Sequence, residues 1–304
     1  MSSVAAAVPA AILARAEAAY LGLALGDALG ATVEFMTPRE IACQFGVHRE
    51  MVGGGWLKLR RGQVTDDTTM SLALGEAILG NRGRVEPLAC ARAFDGWMRG
   101  KPPDIGNTVR RNLVLFRRTA CPEAPPSEHD AGNGAAMRVL PVALATFGWP
   151  EAEVRAACRA QAHVTHNNEV SDAACEFLAV AVQDFLRGDP LRRILRRRIG
   201  PLLSVYPQFS FRKRVRCANP SGWVVETMQA VLQALLDNGG FEDCVVDVVN
   251  RGGDADTTGA IAGMLCGALY GREALPARWL KVLDPAVREA CIVQARKLLV
   301  RDGK

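Results

Sequence analysis

Glycine recurs at every fourth position in two apolar stretches of the sequence. The first stretch carries Gly22, Gly26 and Gly30, and the second carries Gly259, Gly263, Gly267 and Gly271. Both stretches have a helical pattern, in which each glycine is less favourable than alanine by about 1 kcal/mol. Small residues at this spacing share one helix face and let another backbone approach closely. We therefore expect the two helices to lie deep in a bundle and against each other.

Two acidic segments with the same order of side chains each precede an apolar helical stretch. "TDDTT" covers residues 65–69 and "DADTT" covers residues 254–258. One carboxylate at a helix start is explained by capping, because it accepts a bond from a free backbone N–H and suits the helix dipole. Four carboxylates brought together would repel and raise one another's pKa values. A divalent cation removes that repulsion, and carboxylate and hydroxyl oxygens suit Mg²⁺, Mn²⁺ or Ca²⁺.

The second acidic segment does not match an EF-hand. That loop needs a Glu at its twelfth position, where this chain has Leu265. The sequence instead predicts a two-metal site assembled from both segments, able to orient a substrate and activate a water. Its candidate ligands are Thr65, Asp66, Asp67, Asp254, Asp256 and Thr257. The glycine-faced first helix would bring Glu34 and Asp27 to the same place, with Asp27 as a buried hydrogen-bonding group rather than a ligand.

The fold class follows from helical periodicity over most of the chain. Apolar residues recur at helical spacing in segments 9–30, 67–80, 86–100, 134–147, 151–163, 171–187, 221–237, 241–250, 256–271 and 285–301. Convincing period-two alternation is absent from the sequence, so we expect an all-α, multi-helix bundle. Segments 99–133 and 199–221 are rich in Pro, Gly and Arg and are predicted to be long loops. Neither separates two cores, so we expect a single domain over residues 1–304.

Composition and charge narrow the class of protein. The 304 residues are 49% hydrophobic and carry a net charge of +5. Two basic runs, 191–200 and 211–216, are typical of a solvated face, with docking to an acidic protein surface as the alternative. No nucleic-acid-binding motif accompanies them. Nine Cys without C-x-x-C spacing disfavour structural zinc. The N-terminus lacks a basic leader and no apolar run spans a bilayer, so we expect a cytoplasmic protein.

Six motifs together resemble the ADP-ribosylglycohydrolase family. They are "LGLALGDALGATVEF", "GQVTDDTTMSLAL", "DIGNT", "GNGAAMRVLPVAL", "THNNEVSDAA" and "VNRGGDADTTGAIAGMLCGALYG", in the family's order. Within the family the chain is most similar to the dinitrogenase reductase-activating glycohydrolases. The resemblance implies an all-α fold with a binuclear Mn²⁺ or Mg²⁺ centre. It is weaker at residues 81–100 and 187–217. The second of these segments is basic and divergent, so the resemblance does not establish a partner contact there.

The resemblance also implies roles for individual residues. The family's metal ligands fall on the six candidate ligands named above. Its conserved Glu falls on Glu34 and the Asp of its D-[IV]-G motif on Asp104, which are the candidate catalytic residues. The candidate substrate-binding residues are Asn107, Asn133, Gly134, His166 and Trp223. The "GNGAAMR" segment, residues 132–138, is implied to line the ADP-ribose cleft, and Trp223 to stack on adenine. The sequence leaves open that these are only turn, capping or core residues.

The implied activity is hydrolysis of the bond between ADP-ribose and an arginine side chain of a protein. The implied substrate is the ADP-ribosylated iron protein of nitrogenase. By the same resemblance, a PII-type signalling protein and an ammonium transporter are partners that would hold the enzyme at the membrane. Two alternatives stay open. One is a hydrolase of other adducts, such as serine-linked or O-acetyl-ADP-ribose, and the other is a non-catalytic relative that binds ADP-ribose.

Overall fold

A computed structural model describes residues 8–212 and 215–300 of the chain. These ranges contain helices, turns and two isolated bridges, and no β-strand. The α-helices are α1 (Ala10–Gly30), α2 (Pro38–Phe45), α3 (Asp66–Gly80), α4 (Pro87–Arg99), α5 (Asn107–Thr119), α6 (Leu140–Ala145), α7 (Glu151–Ala162), α8 (Glu169–Leu186), α9 (Leu191–Ile194), α10 (Gly200–Val205), α11 (Val224–Asp237), α12 (Phe241–Val249), α13 (Ala255–Tyr270), α14 (Ala277–Val282) and α15 (Pro285–Leu299). A π-helical turn, Leu195–Ile199, joins α9 to α10. The prediction of an all-α bundle is confirmed.

Helices α1 and α13 pack against each other through their glycine faces. A Cβ added to Gly26 would lie 1.9 Å from the carbonyl oxygen of Gly259, and one added to Gly22 would lie 2.2 Å from that of Gly263. Backbones this close leave no room for any side chain, so glycine is required. The expected contact between the two helices is confirmed. Gly271 is the exception, because it follows the last residue of α13 at φ 79° and faces open space.

The core surrounds this helix pair. Residues 16–30 of α1, residues 173–186 of α8 and residues 255–268 of α13 are buried without interruption. Helices buried on all sides lie inside a bundle. Buried apolar side chains from these and most other helices join one hydrophobic cluster. The expectation of a single domain over residues 1–304 stays a prediction.

Two predicted loops contain helices. Helix α5 lies within segment 99–133, and α10 lies within segment 199–221, so the prediction of irregular structure is wrong for these parts. In α5, Val109, Asn112 and Leu113 form a buried face at helical spacing. Arginines on the opposite face give the segment the composition of a loop, which hides that periodicity. Helices α2, α9 and α14 are also absent from the sequence-based assignment.

The predicted helix over residues 134–147 is shorter than expected. Only α6 is α-helical, and it begins at Leu140. Before it, the backbone N–H groups of Ala136 and Met137 both donate to the carbonyl oxygen of Asn133, at 2.8 Å and 3.0 Å. These bonds close a compact turn, and this turn faces the acidic helix starts described below.

The structure describes the whole of the first basic run but only part of the second. In run 191–200 most arginines are exposed, as a solvated face requires, but Arg198 forms ion pairs with Asp184 and Glu151. In run 211–216, Lys213 and Arg214 lie outside the described residues. Among helices in the described ranges, none combines the length and apolarity needed to cross a bilayer.

Candidate metal centre

The N-termini of α3 and α13 meet at the C-terminal end of α1. Helices α1 and α13 are antiparallel, so Gly30 lies against Ala255, where an added Cβ would stand 2.2 Å from a carbonyl oxygen. Asp66 and Asp67 begin α3, and Asp256 lies in the first turn of α13. The packing of α1 on α13 thus brings the residues that follow α1 close to the acidic start of α13.

Carboxylate oxygens from these elements form two overlapping groups. One group contains Asp66, Asp67 and Asp256, and the other contains Glu34, Asp254 and Asp256. Within each group the oxygens lie within 4.8 Å of one another. The predicted convergence of the two acidic segments is therefore confirmed. Clustered carboxylate oxygens are the donors that hard divalent cations take, so these groups could hold metal ions.

The two candidate threonine ligands face the same centre. Thr257 Oγ1 donates to Asp67 Oδ2 at 3.3 Å. Thr65 Oγ1 lies 3.3 Å from Asp67 Oδ2 and 3.4 Å from Asp256 Oδ2. The other oxygen of Asp67, Oδ1, is buried without a hydrogen-bond partner among the described residues. A buried, unpartnered carboxylate oxygen is unfavourable, and coordination of a cation satisfies it. The donor set therefore fits a divalent ion.

Burial and repulsion between neighbouring carboxylates disfavour the ionised form of the acids in this cluster. Burial raises the pKa values of Asp66, Asp67 and Asp256 well above their usual range, and neighbouring carboxylates add to the effect. Burial also raises the pKa of Glu34 to about 8, with a smaller contribution from Asp254. A cation in the cluster acts in the opposite direction, because its charge favours the carboxylate form.

Glu34 is positioned by backbone bonds between the end of α1 and the segment before α13. The N–H of Phe35 donates to the carbonyl of Gly253 at 2.7 Å, and the N–H of Gly253 donates to the carbonyl of Met36 at 2.9 Å. Gly253 adopts φ 65°, and an added Cβ would lie 2.1 Å from a carbonyl oxygen. The position therefore requires glycine. The Glu34 carboxylate accepts a bond from Trp56 Nε1 at 2.7 Å.

Trp56 is a residue of this region that the sequence analysis missed. It is 52% exposed, and its ring centroid lies 5.4 Å from that of Phe35, which is 65% exposed. Residues 53–55 are three consecutive glycines, all with positive φ. A Cβ added to Gly55 would lie 2.6 Å from the carbonyl oxygen of Ala31, so the loop packs closely on the end of α1. The available signal was "GGGW", since a glycine run marks a loop of unusual backbone conformation.

Asp27 supports the start of α3. Its carboxylate accepts bonds from the backbone N–H and the hydroxyl of Thr65, both at 2.9 Å, and from the N–H of Thr68 at 3.1 Å. A residue of α1 thereby satisfies N–H groups at the start of α3, as a cap does. Burial raises the pKa of Asp27 to about 6. The predicted buried hydrogen-bonding role is confirmed.

The loop before α5 brings a further acid to the cluster. Asp104 is half-buried, and its charge adds to the effect of burial in raising the pKa values of Asp66 and Glu34. Asp104 therefore lies close enough to both carboxyl groups to interact with them. Asn107 is the first residue of α5 and is exposed. The catalytic role of Asp104 and the substrate-binding role of Asn107 stay predictions.

Asn133 contacts a candidate metal ligand directly. Its Nδ2 donates to Asp254 Oδ2 at 2.7 Å and to Thr227 Oγ1 at 2.9 Å. Its backbone N–H donates to the carbonyl of Gly222 at 3.0 Å, so that group is already engaged. The side chain therefore orients the carboxylate of Asp254, a contact that the sequence did not reveal. Substrate binding by Asn133 stays a prediction.

The remaining candidate residues of this region, Gly134, His166 and Trp223, differ in exposure. His166 is buried against the turn, and a Cβ added to Gly134 would lie 2.8 Å from its Cε1. Its Nδ1 pairs with the hydroxyl of Thr165 at 2.8 Å, and burial lowers its pKa to about 3. The imidazole is thus neutral and supports the turn from behind. Trp223 precedes α11 and is 45% exposed, so the interpretation as a core residue is wrong.

Arg138 does not line a cleft, contrary to what the resemblance implies for the end of the "GNGAAMR" segment. The side chain is fully buried and donates to Gln161 Oε1 and Thr165 Oγ1, each at 2.8 Å. Its guanidinium lies 4.3 Å from the ring centroid of Phe94. The turn that follows Asn133 directs this arginine into the core, where it joins elements instead of meeting solvent.

Comparisons with known proteins agree with this arrangement. The family model described as ADP-ribosylglycohydrolase matches residues 8–303. The chain is 46% identical to the ADP-ribosyl-[dinitrogen reductase] glycohydrolase of Rhodospirillum rubrum, covering 95% of this chain and 97% of that protein. It is 33% identical to the ADP-ribosylarginine hydrolase Tri1 of Pseudomonas putida, covering 90% and 75%.

A solved structure extends the likeness to three dimensions. The structure of an ADP-ribosylglycohydrolase-related protein complex superposes with a TM-score of 0.83 at 35% identity. The superposition covers 95% of this chain and 98% of that one. The family model matches nearly the whole chain, and the identity to these relatives is high. The chain therefore belongs to the ADP-ribosylglycohydrolase family of enzymes.

Proposed function

We propose that this chain is a metal-dependent hydrolase that removes ADP-ribose from an arginine of a target protein, and that the target is dinitrogenase reductase. The names of the relatives from Rhodospirillum rubrum and Pseudomonas putida support both parts. The observation that carries the proposal is the meeting of two distant acidic helix starts around a buried, unpartnered oxygen of Asp67. Such a centre suits substrates rich in hydroxyl and phosphate oxygens.

Two Mn²⁺ or Mg²⁺ ions are the proposed cofactors. The residues that would hold them are Thr65, Asp66, Asp67, Asp254, Asp256 and Thr257. When bound, such ions supply positive charge for the ribose 2- and 3-hydroxyls and for a water. The buried Oδ1 atom of Asp67, which has no hydrogen-bond partner among the described residues, favours a cation here.

Carboxyl groups of the chain carry out the proton transfers. Hydrolysis adds water to the anomeric carbon while the bond to the guanidine nitrogen breaks, and the carbon gains oxocarbenium character. One carboxyl group takes a proton from the water and another returns a proton to the leaving guanidine. We assign these two transfers to Glu34 and Asp104, which lie close enough for their charges to interact. Trp56 orients Glu34 through its indole N–H.

For the ADP-ribose moiety we propose the surface formed by Asn107, Gly134 and Trp223. The half-exposed indole of Trp223 offers a face on which adenine can stack. The backbone of Gly134 is partly exposed and is the proposed contact for a diphosphate, while His166 fills the side on which a Cβ would stand. His166 holds this turn from behind, and Asn133 connects it to Asp254.

Further partners are proposed on the family resemblance alone. They are a PII-type signalling protein and an ammonium transporter, which would recruit a cytoplasmic enzyme to the membrane. Binding of the purified PII-type protein to this chain by calorimetry tests that recruitment. An absence of binding in every nucleotide state of the PII-type protein would contradict it.

The hydrolytic function is tested on dinitrogenase reductase that carries ADP-ribose on arginine. We expect incubation with the chain and Mn²⁺ to release ADP-ribose, as followed by intact-protein mass spectrometry. Asp254→Ala should abolish the release, and EDTA should abolish it reversibly. Serine-linked ADP-ribosyl peptides are the comparison substrate. Release from serine but not from arginine would overturn the arginine specificity, and release from neither would overturn the hydrolase.

A further inference from the structure

Two large aromatic side chains beside Glu34 are exposed to solvent, so neither gains the full stabilisation that burial would give. Phe35 is 65% and Trp56 is 52% exposed, with ring centroids 5.4 Å apart and planes tilted by 46°. Phe35 also adopts φ 64°, a left-handed conformation that is unfavourable for a bulky residue by about 1–2 kcal/mol. Strained backbone of this kind is typical of functional sites. Folding alone does not account for a strained, exposed phenyl group.

The pair lies at the reacting end of the site. Trp56 Nε1 donates to Glu34 Oε2 at 2.7 Å, and Glu34 offers an oxygen within 4.8 Å of oxygens of Asp254 and Asp256. Phe35 directly follows Glu34, and its N–H bonds the carbonyl of Gly253. The two rings therefore border the place where the glycosidic bond would break.

The chemistry of this border selects for a cation. Aromatic faces carry a negative quadrupole and attract guanidinium groups, with Trp the strongest partner. The carboxyl groups of Glu34 and Asp104 stand in the same region. Adenine would gain from stacking on the rings alone, whereas a guanidinium gains from the ring faces and from a nearby carboxylate as well.

We propose that Phe35 and Trp56 form the subsite for the guanidinium of the ADP-ribosylated arginine. The inference rests on the proposed arginine-linked activity and adds to it the residues that select the leaving group. The subsite contacts the arginine side chain and not ADP-ribose. Its loss therefore raises KM for ADP-ribosylarginine and leaves the affinity for free ADP-ribose unchanged.

The test uses Phe35→Gly and Trp56→Ala in the full chain with Mn²⁺. Phe35→Gly removes the ring and also relieves the positive φ, so thermal stability should be kept or raised. For each variant we expect KM for ADP-ribosylarginine to rise about 3- to 30-fold. Trp56→Ala should also lower kcat, because it removes the bond to Glu34, whereas Phe35→Gly should change KM alone. The Kd for ADP-ribose, measured by calorimetry, should stay within about twofold of wild type. Leu88→Ala, which truncates an exposed apolar residue of α4, should retain the wild-type KM.

Three outcomes separate this inference from the proposed function. An unchanged KM in both ring-deletion variants would overturn the subsite. An equal loss of affinity for free ADP-ribose would also overturn it, because the rings would then contact the nucleotide. Wild-type protein that fails to cleave ADP-ribosylarginine but cleaves a serine-linked substrate would overturn the proposed specificity before any variant is compared.

Discussion

The hydroxyl of Thr257 lies 3.3 Å from the Oδ2 atom of Asp67, although 190 residues separate the two in sequence. The contact joins the first turn of α13 to the first turn of α3. It exists because α1 packs on α13 through glycine and caps α3 through Asp27. The relative position of the acidic residues thus depends on α1, which contacts both α13 and the start of α3.

Gly26→Ala should destabilise the protein strongly. The added Cβ would meet the carbonyl oxygen of Gly259 at 1.9 Å, so α1 and α13 would have to separate. We expect a loss of about 3 kcal/mol in the free energy of unfolding, measured by urea denaturation, from overpacking of this kind. Gly96→Ala is the matched control, since Gly96 lies inside α4 and an added Cβ meets nothing within 4 Å. The control should gain about 0.5–1 kcal/mol. Equal stability of both variants would contradict the tight packing of α1 on α13.

Asn133→Ala should weaken metal binding more than nucleotide binding. The change removes the 2.7 Å bond to Asp254 Oδ2 and leaves that carboxylate free to turn away from the cluster. Loss of such a supporting bond typically lowers metal affinity about 10- to 100-fold. Calorimetric titration with Mn²⁺ measures this effect, and titration with ADP-ribose at saturating Mn²⁺ provides the comparison. Unchanged Mn²⁺ affinity with weaker ADP-ribose binding would instead assign Asn133 to the substrate, as the sequence predicts.

Arg138→Met should lower stability without altering substrate recognition. The variant leaves the buried oxygens of Gln161 and Thr165 without a donor and removes the cation from the ring of Phe94. Loss of charged, buried hydrogen bonds predicts about 3 kcal/mol of destabilisation in urea. The KM of the folded variant should stay within about twofold of wild type. A stable variant with a strongly raised KM would show that the side chain reaches the substrate after all.

His166 should make stability depend on pH below neutrality. Burial lowers its folded pKa to about 3 from an ordinary value of 6.5. Between these values the unfolded chain binds a proton on this imidazole and the folded chain does not. Its contribution to stability is therefore complete above about pH 6.5 and declines as pH falls towards 3. The difference between wild type and His166→Gln in metal-free buffer isolates this effect. A wild-type minus variant difference that stays constant from pH 7 to pH 4 would contradict a buried, neutral His166.

The sequence predicts those parts of the site that follow from a pattern within one segment. The acidic helix starts, the glycine faces and the role of Asp27 each follow from spacing within one segment, and the structure agrees with all three. The bond from Asn133 to Asp254 and the bond from Trp56 to Glu34 do not follow from any local pattern. They join segments far apart in sequence, and only the packed bundle decides which side chains meet.

Helix α5 shows a second limit of the same kind. Its many arginines make the segment resemble a loop in composition, while Val109 and Leu113 recur at helical spacing. Burial of that narrow face against neighbouring helices stabilises α5, and such tertiary packing overrides a weak local preference. The expected cleft position of Arg138 is wrong for a related reason. Arginine is usually a surface residue, and only its partners Gln161 and Thr165 explain its burial.

We propose that the starts of α3 and α13 together bind two divalent cations. Crystals soaked in Mn²⁺, with diffraction recorded at the manganese absorption edge, test it most directly. We predict two anomalous peaks, one beside Asp66, Asp67 and Asp256 and one beside Asp254 and Asp256. Crystals of Asp67→Asn should lose at least the first peak. Saturating Mn²⁺ with no peak between the two helix starts, or with peaks only elsewhere on the molecule, would contradict a metal centre at these helix starts.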